Sequence, residues 1–244
     1  MSKCQRLFTI IGIFLLGLKS PLMAESVEYS TYTLRRHETL EKKFNKNWVN
    51  VARFNKIDRI HAYPGTKLKI PSDLEKPYNP LPEFIDEEKQ NEKFILIDLS
   101  SQFLGTYEYG KLKSSYPVSS GRKGHSTPTG IFYVVNFEEI HYSSKYFINN
   151  STHPYPMTWA LNLGRKKNNS SGIFIHGRDL EGKPASHGCI GLYDEEMQKK
   201  YYNAPQKTEL MDAKELYLWV VPRETKKKSG KINGPKVKII NKAP

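Results

Sequence analysis

The stretch 172–192 constrains the fold most, because it joins an apolar run to a cysteine through a short loop. The run Ile173-Phe174-Ile175 predicts a buried strand that ends at His176. Glycines and a proline within 177–185 predict a loop, and this loop leads back to Cys189. The sequence therefore predicts a histidine at a rigid strand end with a thiol close to it in the fold.

A histidine beside a thiol indicates nucleophilic chemistry, because imidazole can take the thiol proton and stabilise the thiolate. We interpret Cys189 as the nucleophile and His176 as the general base. The exchange of roles, with His187 as the base, is an alternative. Each residue alone is more often a buried structural group. A zinc site of these three residues is a further alternative, but their spacing matches no common zinc pattern, so we expect no metal.

Residues 1–24 have the pattern of a secretory signal peptide. Two basic side chains precede the apolar run Leu7–Leu18, which is too short to span a membrane comfortably. An uncleaved anchor is the alternative. Cleavage would remove Cys4 and leave Cys189 as the one cysteine of an exported protein, where cysteines normally pair. This favours a reactive thiol in the periplasm or cell wall.

Two ordered motifs carry a resemblance to a known family. His176-Gly177 followed by Ser186-His187-Gly188-Cys189-Ile190 resembles the signature of the L,D-transpeptidase (YkuD-type) catalytic domain family. The upstream run 117–132, which contains Thr127-Pro128-Thr129-Gly130, is similar to the second marker of that family. The resemblance covers Phe94 to Val221. Gly191 departs from the family, which usually has arginine or asparagine there.

The resemblance implies a cysteine-dependent enzyme acting on the tetrapeptide stems of peptidoglycan. The thiolate would attack the carbonyl of the third stem residue, expel the terminal D-alanine and pass the acyl group from a thioester to an amine. This chemistry uses no cofactor and no metal. With water as acceptor, the same site would be an L,D-carboxypeptidase or endopeptidase. A catalytically lapsed peptidoglycan-binding scaffold is the other alternative.

The remaining site residues are predicted around the two motifs. Backbone N–H groups of His187, Gly188 and Cys189 are expected to bind the oxyanion, and Ser186 to shape the loop. The carbonyl near Gly177 is expected to fix the imidazole tautomer, with Asp179 as an alternative. Further residues are candidates for the substrate cleft, with a plain core role as the alternative for the first three: Tyr142, Met157, Trp159 and Arg178.

Residues 25–71 are predicted to form a unit of strand, helix, helix and strand. Thr39 opens the first helix, Trp48–Asn55 has helical apolar spacing, and 65–71 alternates as a closing strand. The unit resembles the LysM module, which implies binding to glycan strands. His37 stands where that module usually has glycine. A packing lobe without a ligand is the alternative.

The rest of the chain divides into three predicted segments. A polar, proline-rich linker is expected at 72–92, and a mainly β domain of the YkuD-type β-sandwich class, with few helices, at 93–222. Asp194 should cap a helix that runs to about Tyr202, and 216–221 should form the final strand.

The basic excess is concentrated at the C-terminus. The chain has a formal charge of +13, and residues 223–244 hold eight basic side chains against one glutamate. This composition predicts a disordered tail. Export argues against nucleic acid, so an anionic envelope polymer or a membrane surface is the expected partner. A solvated tail without a partner is the alternative.

Overall fold

The computed structural model describes residues 27–148, 151–166 and 169–241. The predicted signal peptide at 1–24 and Cys4 lie outside the described residues. Within the described ranges, every helix is too short or too polar to cross a membrane.

The N-terminal unit has the predicted order of elements. Its two strands pair antiparallel, and the Thr39 hydroxyl caps the first helix by accepting a hydrogen bond from the backbone N–H of Lys42. The elements are β1 (Tyr29–Thr33), α1 (Leu40–Phe44), α2 (Trp48–Asn55) and β2 (Lys67–Pro71).

The catalytic region is built on one nine-stranded sheet. The strands are β3 (Phe94–Asp98), β4 (Phe103–Glu108), β5 (Lys111–Pro117), β6 (Gly130–Phe147), β7 (Pro154–Lys166), β8 (Asn169–Gly177), β9 (Ile190–Leu192), β10 (Ser229–Lys231) and β11 (Lys236–Ile240). Their order is β5-β4-β3-β11-β6-β7-β8-β9, with β10 paired to β6. The pairs β3–β11 and β8–β9 are parallel. The predicted mainly β fold class is confirmed.

The two ends of the sheet meet near the loop that carries Cys189. Ser119, two residues after β5, exchanges two backbone hydrogen bonds of 2.9 Å with Gly191 of β9. The sheet therefore wraps around an apolar core, and the wrapping brings the end of β5 beside the strand that follows Cys189. Core side chains come from most of the strands, among them Ile97, Leu104, Phe132, Leu161, Ile175, Ile190 and Val237.

Helix α3 (Glu195–Tyr202) begins where the sequence predicts. The Asp194 carboxylate accepts a hydrogen bond of 3.0 Å from the backbone N–H of Met197 and so caps the first turn.

The predicted strand at 216–221 is wrong, because this segment belongs to helix α4 (Asp212–Val220). Leu216 and Val220 face the core with helical spacing, whereas Leu218 is 53% exposed. An unbroken apolar run of six residues does not distinguish a strand from a helix that is buried on one side.

The predicted disorder of 223–244 is also wrong for its described part. Strand β11 lies inside the sheet, between β3 and β6. Val237 and Ile239 are 0% and 1% exposed and alternate with lysines that point the other way. This alternation of lysines with apolar residues is typical of a strand, but a count of the charges does not detect it.

The predicted linker at 72–92 is packed on the sheet. Tyr78, Leu81 and Ile85 join an apolar cluster with Phe94 of β3. A short 3₁₀ turn, Asp86–Glu88, follows. The segment connects two units as expected, but it is not a free spacer.

The N-terminal unit shares a core with the catalytic region. Trp48 and Val51 of α2 belong to the same buried cluster as Leu180 and Tyr193. The Tyr193 hydroxyl donates hydrogen bonds of 3.0 Å to the carbonyls of two residues in or just after α2. The two units therefore form one body.

Candidate active site

Parallel pairing of β8 with β9 sets His176 on one strand and Cys189 directly before the neighbouring strand. Ile175 is in register with Ile190, and His176 with Gly191. Cys189 immediately precedes β9 and therefore lies beside Phe174. Because side chains alternate along a strand, Phe174 and His176 share one face of β8, and the register continued by one residue sets Cys189 opposite Phe174.

One backbone carbonyl orients the imidazole of His176. This histidine is 4% exposed, and its Nδ1 lies 2.8 Å from the Gly177 carbonyl oxygen. A carbonyl only accepts hydrogen bonds, so Nδ1 carries the proton and Nε2 has the lone pair that a base needs. This is the contact expected from the sequence. The alternative partner, Asp179, binds Gln198 and Tyr202 instead.

Burial keeps both reacting groups neutral. It lowers the pKa of His176 to about 3, and the cation of Arg178 contributes to the lowering. Burial raises the pKa of the Cys189 thiol above its usual value of 9.0, against a backbone contact with Phe174 and the charge of Arg178, which both lower it. The free site therefore holds a thiol and a neutral imidazole.

These directions predict the pH dependence of the reaction. Because the imidazole stays neutral above about pH 4, we expect kcat/KM to show no acid limb between about pH 5 and 7. Alkylation of Cys189 should still accelerate with pH at pH 9, because the pKa of the thiol is raised above 9.0. Both profiles can be measured on the purified protein. A plateau of alkylation already reached near pH 6 would instead indicate a thiolate–imidazolium pair.

Arg178 occupies the space beside Gly191. A Cβ atom added at Gly191 would lie 2.5 Å from Cδ and 2.6 Å from Cβ of Arg178. The guanidinium donates a hydrogen bond of 3.0 Å to the Ala185 carbonyl and pairs with Glu181 at 3.6 Å. A side chain at 191, as the family usually has, does not fit together with this arginine.

We expect Gly191→Ala to destabilise the protein by about 1–3 kcal/mol, because the added methyl group displaces Arg178. Thermal unfolding measures this cost. In an Arg178→Gly background the same change should cost less than about half as much, since glycine removes both Cβ and Cδ of residue 178. Equal costs in both backgrounds would contradict the packing described here.

Two hydroxyl groups fix the turn that carries the cysteine. Ser186 Oγ accepts from the Gly188 N–H at 3.0 Å and donates to the Cys189 carbonyl at 2.6 Å. Thr127, which is buried, donates to the Gly188 carbonyl at 2.9 Å. Gly188 has φ of +115°, a conformation that only glycine adopts readily. The two sequence motifs therefore meet at this turn.

His187 lies at the surface of the turn. Arg122 donates a hydrogen bond of 2.8 Å to its Nε2, and its ring stacks on Tyr146 with centroids 4.1 Å apart. Since Nε2 already accepts this bond, His187 is poorly placed to be the base. Sequence reasoning did not single out Arg122 or Tyr146. Arg122 lies within the upstream motif, but Tyr146 gave no local signal.

The predicted cleft residues have different surroundings. Met157 is buried and lies opposite His141 in the β6–β7 register, and the His141 ring stacks on Phe174. Tyr142 is exposed, with its hydroxyl 3.4 Å from that of Tyr201. Trp159 is partly buried and packs on the core against Tyr217 of α4, as the core alternative expects.

In the described ranges, no group of three or more histidine, cysteine or acidic side chains is arranged to hold a metal ion. The zinc alternative named Cys189 together with His176 and His187. In the structure, the Nε2 of His187 is engaged by Arg122 instead.

The family model described as the L,D-transpeptidase catalytic domain (YkuD) matches residues 92–226, which is more than half of the chain. The chain therefore belongs to the YkuD L,D-transpeptidase family, and the predicted resemblance is confirmed. This family acts on peptidoglycan stem peptides, so the protein is an L,D-transpeptidase-type enzyme.

Solved structures of L,D-transpeptidases are similar to this chain. The enzyme from Stackebrandtia nassauensis is 19% identical with a TM-score of 0.44, and the match covers 82% of this chain and 69% of that one. L,D-transpeptidase 1 of Mycobacterium tuberculosis is 17% identical with a TM-score of 0.39, and the match covers 62% of this chain and 62% of that one. The enzyme from Xylanimonas cellulosilytica is 21% identical with a TM-score of 0.41, and the match covers 78% of this chain and 76% of that one. The comparison with curated proteins returned no match.

Proposed function

We propose that this protein is an exported L,D-transpeptidase with Cys189 as nucleophile and His176 as general base. The observation that carries the proposal is the pairing of β8 with β9, which sets Cys189 opposite Phe174, a residue that shares one face of β8 with His176. The bond from Nδ1 of His176 to the Gly177 carbonyl supports it, because it leaves Nε2 available to the thiol.

The first half of the reaction forms a thioester. Nε2 of His176 takes the thiol proton, and Sγ of Cys189 attacks the carbonyl carbon of the third stem residue. The tetrahedral intermediate then collapses. The C–N bond to the terminal D-alanine breaks, and the imidazolium gives its proton to the departing amine.

The backbone N–H groups of His187 and Cys189 are the proposed donors to the oxyanion. The Gly188 N–H, also expected in this role, is already bonded to the Ser186 hydroxyl. We therefore assign Gly188 the role of shaping the turn.

The second half of the reaction regenerates the thiol. An acceptor amine attacks the thioester carbonyl, and His176 takes a proton from this amine. The C–S bond then breaks, the new amide leaves, and the imidazolium returns the proton to the thiolate of Cys189. Water in place of the amine would give a free tripeptide, which is the carboxypeptidase alternative. A scaffold that has lost catalysis would form no thioester.

Mass spectrometry after incubation with a disaccharide-tetrapeptide tests the proposal. We expect an adduct on Cys189 with the mass of the disaccharide-tetrapeptide less D-alanine, together with crosslinked dimers. Free tripeptide without dimers would establish the hydrolase. The absence of both adduct and turnover, with glycan binding intact, would establish the scaffold.

Export to the periplasm or cell wall is part of the proposal, because the substrate lies there. It is supported by the pattern of residues 1–24. Intact mass of the secreted protein would show cleavage before Glu25, and an uncleaved chain would indicate an anchor.

We further propose that the N-terminal unit is LysM-like and binds glycan strands. His37 has φ of +68°, so its backbone adopts the conformation that favours the glycine usual at this position. Backbone bonds of 3.0 and 2.8 Å between Leu34 and 65–66 hold the β1–α1 and α2–β2 loops together. Tyr63, 62% exposed, lies on the second of these loops and offers a ring for sugar stacking.

Deletion of 25–71 does not test glycan binding cleanly, because this unit shares its core with the catalytic region. A surface substitution is better. Tyr63→Ala should weaken retention on purified sacculi, whereas Tyr109→Ala, which changes an equally exposed tyrosine of the catalytic region, should not. If both variants and the unchanged protein are retained equally on sacculi, the N-terminal unit is a packing lobe without a glycan ligand.

The C-terminal segment is proposed to contact an anionic envelope polymer or a membrane surface, not nucleic acid. Although β11 is buried in the sheet, the lysines of 226–228, directly before β10, are exposed. Binding to anionic vesicles that falls with added salt would support this contact.

A further inference from the structure

Asp58 is a fully buried carboxylate in the N-terminal unit, three residues after the end of α2. It lies far from the cysteine in sequence, and no motif includes it. Its neighbours, however, belong to the segment that joins the base to the nucleophile.

Both oxygens of Asp58 are saturated with hydrogen bonds. One accepts from the backbone N–H of Leu180 at 2.8 Å and from the Gln198 side chain at 2.7 Å. The other accepts from the backbone N–H of His61 at 2.9 Å and lies 2.7 Å from the Nδ1 of the same histidine. The carboxylate therefore connects three elements of the fold.

The backbone around Asp58 adds to this connection. Its N–H donates to the Leu180 carbonyl at 2.8 Å, and the Gly182 N–H donates to the Lys56 carbonyl at 2.9 Å. Ile57 and Glu181 form an antiparallel bridge between these bonds. A short ribbon thus joins 56–58 of the N-terminal unit to 180–182.

The joined loop starts two residues after the base and ends at the nucleophile turn. Its other side is held by Ser119, whose hydroxyl accepts from the Ala185 N–H at 3.2 Å and donates to the Lys183 carbonyl at 3.1 Å. The loop therefore lies between the N-terminal unit and the turn after β5. Loss of the contacts on either side would leave the segment between His176 and Cys189 free to move.

We propose that Asp58 is a positioning residue for catalysis, which holds the 178–186 loop so that Cys189 and His176 keep their relative placement. The N-terminal unit is then part of the active site's support as well as a proposed glycan binder. The kinetic test of this proposal rests on the proposed function, because it measures turnover of a stem peptide. The alkylation test measures the reactivity of Cys189 alone and does not rest on it.

The test compares Asp58→Ala with Arg53→Met. Arg53 belongs to α2 and pairs with the buried Asp212 at 2.5 Å, so its loss weakens the same union of units without touching the loop. Misplaced catalytic groups cost on the order of 10- to 100-fold in rate. We expect Asp58→Ala to lower kcat at least 10-fold with KM changed less than 2-fold, and Arg53→Met to lower Tm with kcat within 2-fold.

Alkylation of Cys189 by iodoacetamide supplies a readout that needs no substrate. In Asp58→Ala its pH profile should shift, because the thiol leaves its buried setting, and in Arg53→Met the profile should match the unchanged protein. Activity that falls in both variants in proportion to Tm, with unchanged alkylation profiles, would overturn the proposal. If the unchanged protein turns over no stem peptide, the proposed function fails, while alkylation still decides the role of Asp58.

Hydrogen exchange on the unchanged protein covers the case in which Asp58→Ala does not fold. The amides of Leu180 and Gly182 donate to the N-terminal unit, so the peptide that spans them should be as protected as the peptide that contains β9. Exchange at the rate of an open loop would overturn the proposal.

Discussion

Cys189→Ala is expected to reduce acyl transfer from tetrapeptide stems by a factor on the order of 10³ or more. The variant lacks the atom that forms the thioester, and the imidazole of His176 then has no proton to take. Product formation from a disaccharide-tetrapeptide, followed by chromatography, measures the loss. The fold should be retained, since Cys189 is a free cysteine that forms no disulfide bond among the described residues.

Cys189→Ser and the binding of stems provide the controls. The serine variant keeps the shape of the turn but has a far less acidic nucleophile, so it too should be nearly inactive while Tm stays within a few degrees. Stem binding should survive in both variants. Residual turnover above about a tenth of the original rate in Cys189→Ala would contradict the assignment of the nucleophile.

Val237→Asp is expected to prevent stable folding. The side chain is fully buried in β11, between β3 and β6, and an unpaired carboxylate there costs on the order of 4–5 kcal/mol. That is a large part of the total free energy of unfolding of a domain, about 5–15 kcal/mol. We expect mostly insoluble protein, or a Tm more than about 10 °C lower.

Lys238→Asp is the matched control, because it places the same carboxylate on the next residue of the strand. Lys238 is exposed, so its replacement should leave solubility unchanged and Tm within a few degrees. If both variants have the same solubility and Tm as the unchanged protein, the C-terminal strand is dispensable for folding. That result would agree with the disordered tail predicted from the charge of this segment.

Local patterns predicted the parts of the fold that depend on neighbouring residues. Asp194 and Thr39 cap their helices by accepting hydrogen bonds from backbone N–H groups three residues later, and both helices begin where expected. The apolar run before His176 and the glycine turn at Cys189 are likewise recognisable in the sequence. In these places the residues that form the structure are close together in the chain, so their local pattern predicts it.

Features that depend on distant partners could not be predicted in this way. Strand β11 is stabilised by β3 and β6, more than 100 residues earlier in the chain, and its lysines outweighed its two buried side chains in the charge count. Trp159 adjoins the cleft in sequence, but α4 provides its packing partner. Tyr146 reaches His187 only because the β6–β7 hairpin extends that far.

The place of β11 in the sheet also limits when the enzyme can form. Strands β3 and β6 do not pair with each other, and each pairs with β11. Synthesis from the N-terminus therefore delivers Cys189 and His176 well before the strand that lies between the two parts of the sheet. The sheet is complete only after residues 236–240 have been synthesised and have paired with both β3 and β6.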